Sequence, residues 1–238
     1  MNDLAQTGAD FLYFYLPIPG FTKMKVVIVG ARADGHAKVV LEILLAMKKF
    51  TVAGFIDDDP AKKGLLIRGI PVIGGMSDLP DLIAKNQIAG AMAAIGHNEM
   101  RRNLSEQIEK FGLELINAIH PTVHFDSDVV IGKGCYIGQG VIVVTGSKIG
   151  NSVNIHTGTT IDHDNVIEDG ANIGPGTHTA GRVHIGKDAF LGTGTNVIPD
   201  CRIGEGAITG AGTVVIRDLE PFTKSVGVPA RTIGKEAK

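Results

Sequence analysis

Two rhythms of apolar and polar positions divide the chain. From Lys25 to about Ile119, apolar runs alternate between strand-like and helix-like spacing. Val26–Val29 reads as a short buried strand ending at Gly30. Thr51–Ile56 reads as a second strand, closed by Asp57-Asp58-Asp59-Pro60, and Ala91–Ile95 and Leu115–Ile119 as two more. Between them, Gly35–Met47 carries Val39, Val40, Ile43, Leu44 and Met47 at helical spacing, and Asp78–Ala84 and Glu99–Phe111 also read as helices. Alternating strands and helices predict a parallel sheet covered by helices. The unit is α/β and Rossmann-like, about 95 residues long, which is short for a full dinucleotide fold.

From Ile119 the period becomes six. Every sixth position gives Ile119, Phe125, Ile131, Ile137, Val143, Ile149, Ile155, Ile161, Ile167 and Ile173, then Thr179, Ile185, Leu191, Val197, Ile203, Thr209 and Val215. Only the two threonines interrupt the apolar series. Glycine often follows the apolar residue, as at Gly132, Gly138, Gly150, Gly174, Gly186, Gly192, Gly204 and Gly210, and small residues such as Cys135, Ala171, Ala189, Cys201 and Ala207 stand two before it. A six-residue period fits neither a helix nor an extended hairpin and predicts a parallel β-helix of hexapeptide repeats. Each hexapeptide makes one strand and one turn, and three close a triangular coil of 18 residues. The apolar side chain fills the prism, and the glycine after it is expected to let the chain turn. On this register Cys135 and Cys201 point inward as packed thiols. The organisation expected is therefore an unassigned extension over 1–23, an α/β domain over 24–118, and a β-helix with a C-terminal tail over 119–238.

Composition agrees with that division. The 32 glycines sit beside Ile and Val rather than Ser and Gln, which suits tight β-turns better than a linker. A net charge of −2 carries no basic footprint, so nucleic acid is not an expected partner. Two cysteines build no disulfide framework and point to a reduced compartment. No apolar run reaches the roughly 18 residues that span a bilayer, so no membrane insertion is expected. The apolar stretch Phe11–Leu16 has no preceding Lys or Arg and is followed by Pro17 and Pro19, which makes a poor signal peptide. A cytoplasmic protein is expected.

Candidate chemistry concentrates in the histidines. His163 lies two positions after inward Ile161, at a corner, within Ile161-Asp162-His163-Asp164-Asn165. A corner histidine projects away from the prism, can accept a proton near neutrality, and is oriented by an adjacent carboxylate. His156 follows inward Ile155, faces outward, and lies just over one prism face from His163, so the two are expected to border one cleft. His178 and His184 each precede an inward position and read as surface residues. No cysteine sits outward, which disfavours a covalent intermediate on a thiol. Two other readings remain open from the residues. A zinc-dependent hydratase would need three converging histidines, and His120 and His156 stack in one column without a third. A non-catalytic nucleotide-sugar sensor or assembly scaffold needs only the first domain.

The chain resembles the sugar O- and N-acyltransferase family of hexapeptide-repeat enzymes. That family includes the sialic acid O-acetyltransferases and the bacterial UDP-4-amino-sugar N-acetyltransferases. The resemblance spans about residues 24–234. It rests on Gly35-His36-Ala-Lys-Val-Val, Phe55-Ile-Asp57-Asp58, Ala94-Ile-Gly96 with Asn98 and Arg101, and Ile119-His-Pro121. The repeats add Asp162-His163-Asp164, Ala180-Gly181, Phe190-Leu-Gly192 and Gly227-Val-Pro-Ala-Arg231.

The resemblance implies a left-handed prism, a homotrimer with active sites between adjacent prisms, and direct transfer of acetyl from acetyl-CoA to a nucleotide-linked amino-dideoxy sugar or a sialic acid. It implies that His163 is the base and Asp164 its acidic partner. Gly35, His36, Asp57, Asp58 and Gly96 would bind the nucleotide-sugar, and His156, where Asn is common, would border the acceptor pocket. Asn172, at a position that can be histidine, would lie against acetyl-CoA. Backbone at Gly181, Thr193 and Ala211 would line the pantetheine track, with Gly227–Arg231 near the nucleotide end. The loop Gly30-Ala-Arg-Ala-Asp-Gly35-His36 is longer than the family's usual one.

Overall fold

The computed structural model describes residues 23–31 and 35–235. The N-terminal extension up to residue 22, residues 32–34 of the first loop and the last three residues of the tail lie outside the described residues. The chain opens with β1 (Met24–Val29), α1 (His36–Ala46), β2 (Phe50–Ile56), β3 (Leu66–Ile67), β4 (Ile70–Gly74), α2 (Leu79–Asn86), β5 (Gly90–Ala93), α3 (Asn98–Lys110) and β6 (Glu114–Leu115). The sheet runs β3-β4-β2-β1-β5-β6, parallel except for the β3–β4 pair. Strands β3 and β4 are additions to the sequence expectation. Their pattern is broken by Arg68-Gly69 and Pro71, which hides a short hairpin whose second strand joins the parallel sheet.

Alternation along β1 builds the layers. Val26 and Ile28 face a core made by α1 (Val40, Leu41, Ile43 and Leu44), which extends to Ala118 and Tyr136 of the coils. Val27 and Val29 face the opposite core with Leu79 of α2 and Ile108 of α3. The run Leu115–Ile119, expected as one strand, is split. Glu114–Leu115 pairs with β5, whereas Ala118–Ile119 is the first rung of the coils. The handover occurs at Asn117, whose side chain receives the Cys135 N–H at 2.9 Å and donates to Gly132 O at 2.8 Å.

From Ala118 the chain winds through three sheets, parallel except for a final antiparallel pair, Thr223–Val226 with Arg231–Lys235. Strands 18 residues apart pair in register, such as Tyr136–Ile137 with Asn154–Ile155 and then Asn172–Ile173. The first face carries this series, the second carries Thr160–Ile161, and the third carries Val166–Ile167. Inward positions Ile137, Ile155, Ile161, Ile173 and Ile185 are each 0% exposed, and both cysteines are buried. Of the two threonines in the inward series, Thr209 bonds to Gly192 N–H and Thr195, whereas Thr179 Oγ1 has no partner.

The glycines need a correction. Turning is done three residues after the inward position, where φ is positive at Gly134, Gly140, Gly146 and onward every six residues, with Ser152, Asp164, Arg182, Asp188 and Asp200 taking the same conformation. The glycine directly after the inward residue serves close stacking. A Cβ on Gly174 would meet Leu191 O at 2.6 Å, and one on Gly192 would meet Thr209 O at 2.6 Å, both backbone of the next coil.

One side chain ties the two units together. Arg101, on α3, is 0% exposed. Its Nε donates to Ser152 O at 3.0 Å, its Nη2 to Gly170 O at 2.7 Å, and its Nη1 to Ile95 O at 3.2 Å, with Asn98 Oδ1 accepting from both Nη atoms at 3.2 Å. Burial lowers its pKa to about 10, opposed by Asp188. It therefore stays charged at neutral pH, solvated by carbonyl dipoles instead of water. Asn98 Nδ2 bonds to Asp188 O and Arg102 pairs with Asp188 at 3.1 Å, extending the seam. Arg101→Met should leave several buried carbonyls unpaired and lower unfolding stability by about 3 kcal/mol or more. Arg101→Lys should recover only part of this, because an ammonium cannot reproduce the fork. Urea unfolding followed by far-UV circular dichroism measures both.

Candidate active site

Five of the ten substrate and cofactor candidates, His36, Gly96, His156, Asn172 and Thr193, converge where the sheet's carboxyl edge meets the first face. A cleft of about 320 Å³ is lined by His36, Gly96, Asn154, His156, Asn172, Phe190 and Thr193, among others. The sheet supplies His36 and Gly96 for a topological reason. The chain leaves β1 toward β2 on one side and returns in β5 on the other, so the loops after β1 and β5 diverge and open a crevice. Gly35 is the residue before α1, and its N-terminal turn has no side-chain cap. Backbone N–H groups at such an end favour an anion.

The floor is aromatic and uncharged. His36 stacks edge-on with Tyr136 at 4.5 Å between centroids, and His156 lies 5.1 Å from Tyr136 and 5.7 Å from His36. Burial pushes the His36 pKa down to about 3, with smaller contributions from His156 and Arg101. Burial also lowers that of His156, against a hydrogen bond to Asn172 and with Arg101 adding to the depression. Both rings are neutral at pH 7 and contribute no positive charge toward a phosphate. His156 Nε2 lies 3.1 Å from Asn172 Oδ1, while Asn172 Nδ2 donates to Gly96 O at 3.4 Å. Asn172 thereby links the β5–α3 loop to His156.

Asp57 and Asp58 stand outside this cleft's lining. Asp57 Oδ2 accepts from Ala31 N–H at 2.9 Å and from Lys62 Nζ at 2.8 Å, and Asp58 Oδ1 accepts from Met76 N–H at 2.7 Å. Burial alone would raise the Asp57 carboxyl, but bonds from Lys62, Asp59 N–H and Ala31 N–H bring it below its ordinary value. The pair orders the loops at the sheet edge.

His163 and Asp164 occupy a different corner. His156 follows a first-face strand and His163 a second-face strand, so one whole face separates them. His163 is absent from the cleft lining, and the expectation that one chain brings both histidines to one cleft is corrected. His163 Nδ1 lies 2.8 Å from Asp164 Oδ2, and its side chain is 40% exposed. With Asp164 accepting from Nδ1–H, the Nε2 lone pair is free to take a proton. That nitrogen lies over Gly181, where any Cβ would collide with it. Gly181 is thus needed as the absence of a side chain. Thr193 and Ala211 stand 18 residues apart on the corner of His156, on the opposite edge of the second face from Gly181.

His184 pairs with Glu168 at 2.6 Å and His178 with Thr160 Oγ1 at 2.7 Å, both away from these groups. His120 Nδ1 engages Thr122 Oγ1 at 2.8 Å. Among the described residues, no group of three or more His, Cys, Asp or Glu is placed to hold a metal ion. No helix among them is long and apolar enough to cross a membrane. Sequence reasoning missed Tyr136 and Asn154. Both follow from stepping back by 18 from Asn172 along the first face.

Known proteins carry the same two parts. Residues 25–108 match the family described as PglD N-terminal domain, and residues 182–217 match the bacterial transferase hexapeptide (six repeats). One solved structure is a histidine variant of perosamine N-acetyltransferase from Caulobacter crescentus, in complex with CoA and GDP-perosamine. It is 39% identical with a TM-score of 0.83, over 89% of this chain and 97% of that one. The acetyltransferase domain of PglB from Neisseria gonorrhoeae, in complex with acetyl coenzyme A, is 30% identical with a TM-score of 0.80, over 89% and 100%. GDP-perosamine N-acetyltransferase of Escherichia coli O157:H7 is 32% identical over 97 residues, 41% of this chain and 44% of that protein. The matched stretches cover less than half the length of the curated relatives. With these matches the fold is an α/β unit followed by a left-handed β-helix, as the resemblance implied.

The neutral His36 has a consequence for stability. Its folded pKa of about 3 lies below the ordinary 6.5, so the unfolded chain binds the extra proton. The contribution of His36 to stability is complete above about pH 6.5 and is lost as pH drops toward 3, by about 1.4 kcal/mol per pH unit at most. His36→Gln should flatten that slope between pH 6 and about 4.5. Denaturation midpoints across this range test it, and an unchanged slope would count against a buried neutral ring.

Proposed function

The chain belongs to the family of hexapeptide-repeat N-acetyltransferases built on a PglD-type N-terminal domain, and from that premise we propose that it moves the acetyl group of acetyl-CoA onto the amine of a nucleotide-linked amino-dideoxy sugar. The observation that carries the assignment of roles is the His163–Asp164 pair, with Nε2 free above Gly181. Acetyl-CoA acts as co-substrate. The sugar amine attacks the thioester carbonyl, forming the C–N bond, as His163 Nε2 takes the amine proton. Asp164 holds the ring in that tautomer and stabilises the imidazolium. The Gly181 N–H, which donates to no acceptor among the described residues, is offered for the oxyanion. The C–S bond then breaks and the imidazolium proton goes to the departing thiolate, giving amide and CoA.

In this reading the nucleotide-sugar enters from the crevice of Gly35, His36 and Gly96. Its diphosphate lies toward the uncapped start of α1 and its nucleoside toward Asp57 and Asp58. Asn172, Thr193 and Ala211 line the pantetheine path, and His156 borders the acceptor pocket. The two half-sites lie at opposite edges of the second face. Three chains with that face toward a common axis would set each His163 edge against a neighbour's cleft, completing three sites in a closed homotrimer. The protein acts in the cytoplasm.

Release of free thiol from acetyl-CoA, assayed against GDP- and UDP-linked amino sugars and sialic acid, tests the assignment. Turnover is expected with a nucleotide-linked amino sugar. Turnover with sialic acid alone, or binding of nucleotide-sugar with no affinity for acetyl-CoA, would defeat it. His163→Ala is expected to lower kcat by about 10²–10⁴-fold. The oligomeric mass, read by light scattering, should remain that of the wild type.

A further inference from the structure

The prism interior is largely apolar, and its exceptions have locations. On the third face the small inward column reads Val129, Ser147, Asn165, Val183 and Cys201. Its two strongly polar members, Ser147 and Asn165, lie on consecutive coils at the corner that carries His163.

Asn165 is 0% exposed. Its Nδ2 donates to Asp162 O at 2.8 Å, His163 O at 3.2 Å and Ala180 O at 2.9 Å. Ser147 Oγ donates to the same Asp162 carbonyl at 2.9 Å and accepts the Asn165 N–H at 3.2 Å. Asn165 Oδ1 has no partner. A buried amide with an unpaired oxygen is an expensive way to fill a space that valine fills at 129 and 183. The three carbonyls it holds are not arbitrary. Two belong to the turn that bears the His163 ring, and the third precedes Gly181, the residue beneath that ring.

We infer that Asn165 is a positioning residue for His163: from inside the prism, its amide fixes the turn carrying the imidazole and the rung under it as one rigid unit. The inference rests on the reading of His163 as the base. It adds that the ring's height and direction over Gly181 are set by an interior side chain as well as by Asp164. Asp164 orients the ring about its own axis at the surface, and Asn165 holds the backbone from which the ring projects.

The test measures thiol release from acetyl-CoA with GDP-perosamine as acceptor. Asn165→Val should lower kcat by about 10–100-fold, in keeping with the cost of misplacing a catalytic group by a fraction of an ångström. KM for each substrate should change by less than about twofold. In a His163→Ala background the same substitution should leave the residual rate unchanged, because a residue acting through His163 has nothing left to position. Thr223→Val removes another interior hydroxyl, one that donates to Glu220 O at 2.7 Å, and should cost stability without changing kcat. If Asn165→Val yields no folded protein, Asn165→Ser, which copies the neighbouring rung, should give an intermediate kcat. A wild-type kcat in the folded Asn165 variant, or an equal loss in the His163→Ala background, overturns the inference. Near-normal turnover in His163→Ala alone would instead remove the reading on which it depends.

Discussion

A fully buried guanidinium, bonded to carbonyl and amide oxygens and to no carboxylate, ties the two units of this molecule together. Arg101 reaches from α3 to the carbonyls of Ser152 and Gly170 on successive coils and to Ile95 in the loop after β5. Taking such a charge out of water costs several kcal/mol unless dipoles replace the lost hydration. The repeats supply those dipoles at an 18-residue spacing, because every coil presents the same carbonyl at the same height. The α/β unit therefore cannot swing freely on the prism without stranding a buried charge. The cleft between His36 and Asn172 exists because that angle is fixed. Asn172 donating to Gly96 O, one residue from the Arg101 contact at Ile95, carries the constraint into the cleft itself.

The prism makes a second demand, met by different glycines than the sequence suggests. Stacked coils approach so closely that a glycine directly after an inward side chain, as at Gly174 and Gly192, has no room for a Cβ, while the turn needs a left-handed residue two positions later. Glycine satisfies both, and hexapeptide periodicity alone does not separate the two uses. Asp164 shows why the distinction matters. It occupies a turn position that is glycine at Gly146, with φ near +57°, a conformation that Asp tolerates better than most residues. That φ belongs to the geometry in which its carboxylate meets His163 Nδ1.

Much of the architecture is legible from residue spacing. The six-residue series identifies the coils, their inward positions and the outward course of His163 without any structure. The alternation of apolar runs likewise yields β1, β2, β5 and the three helices. What spacing does not yield is anything created by contact between elements far apart in the chain. The β3–β4 hairpin is too short to carry a pattern. The split at Asn117 depends on a side chain bonding to a coil not yet formed in the reading order. The neutrality of His36 depends on Tyr136 and His156, 100 and 120 residues away, closing over it. Asn165 was hidden for the opposite reason. It sits where the pattern calls for a small inward residue, and periodicity does not reveal what a polar one bonds to.

The separation of His156 from His163 by one whole face is the most consequential difference between spacing and structure. Seven residues along an extended path look like proximity, but on a triangular prism that distance turns a corner. If His163 is the base and the His156 cleft takes the substrate, as proposed, one chain does not close its own site. Rotating copies of the chain about an axis parallel to the prism can, because the two edges of one face are then offered to two different neighbours. The repeat that fixes Arg101 and aligns Asn172 with His156 also stacks each corner in register every 18 residues, so the proposed edge-to-edge site would be formed by regularly repeating surfaces. In the proposed mechanism the placement of the reacting groups follows from the period of the backbone, which puts His163 and His156 at the two edges of one face.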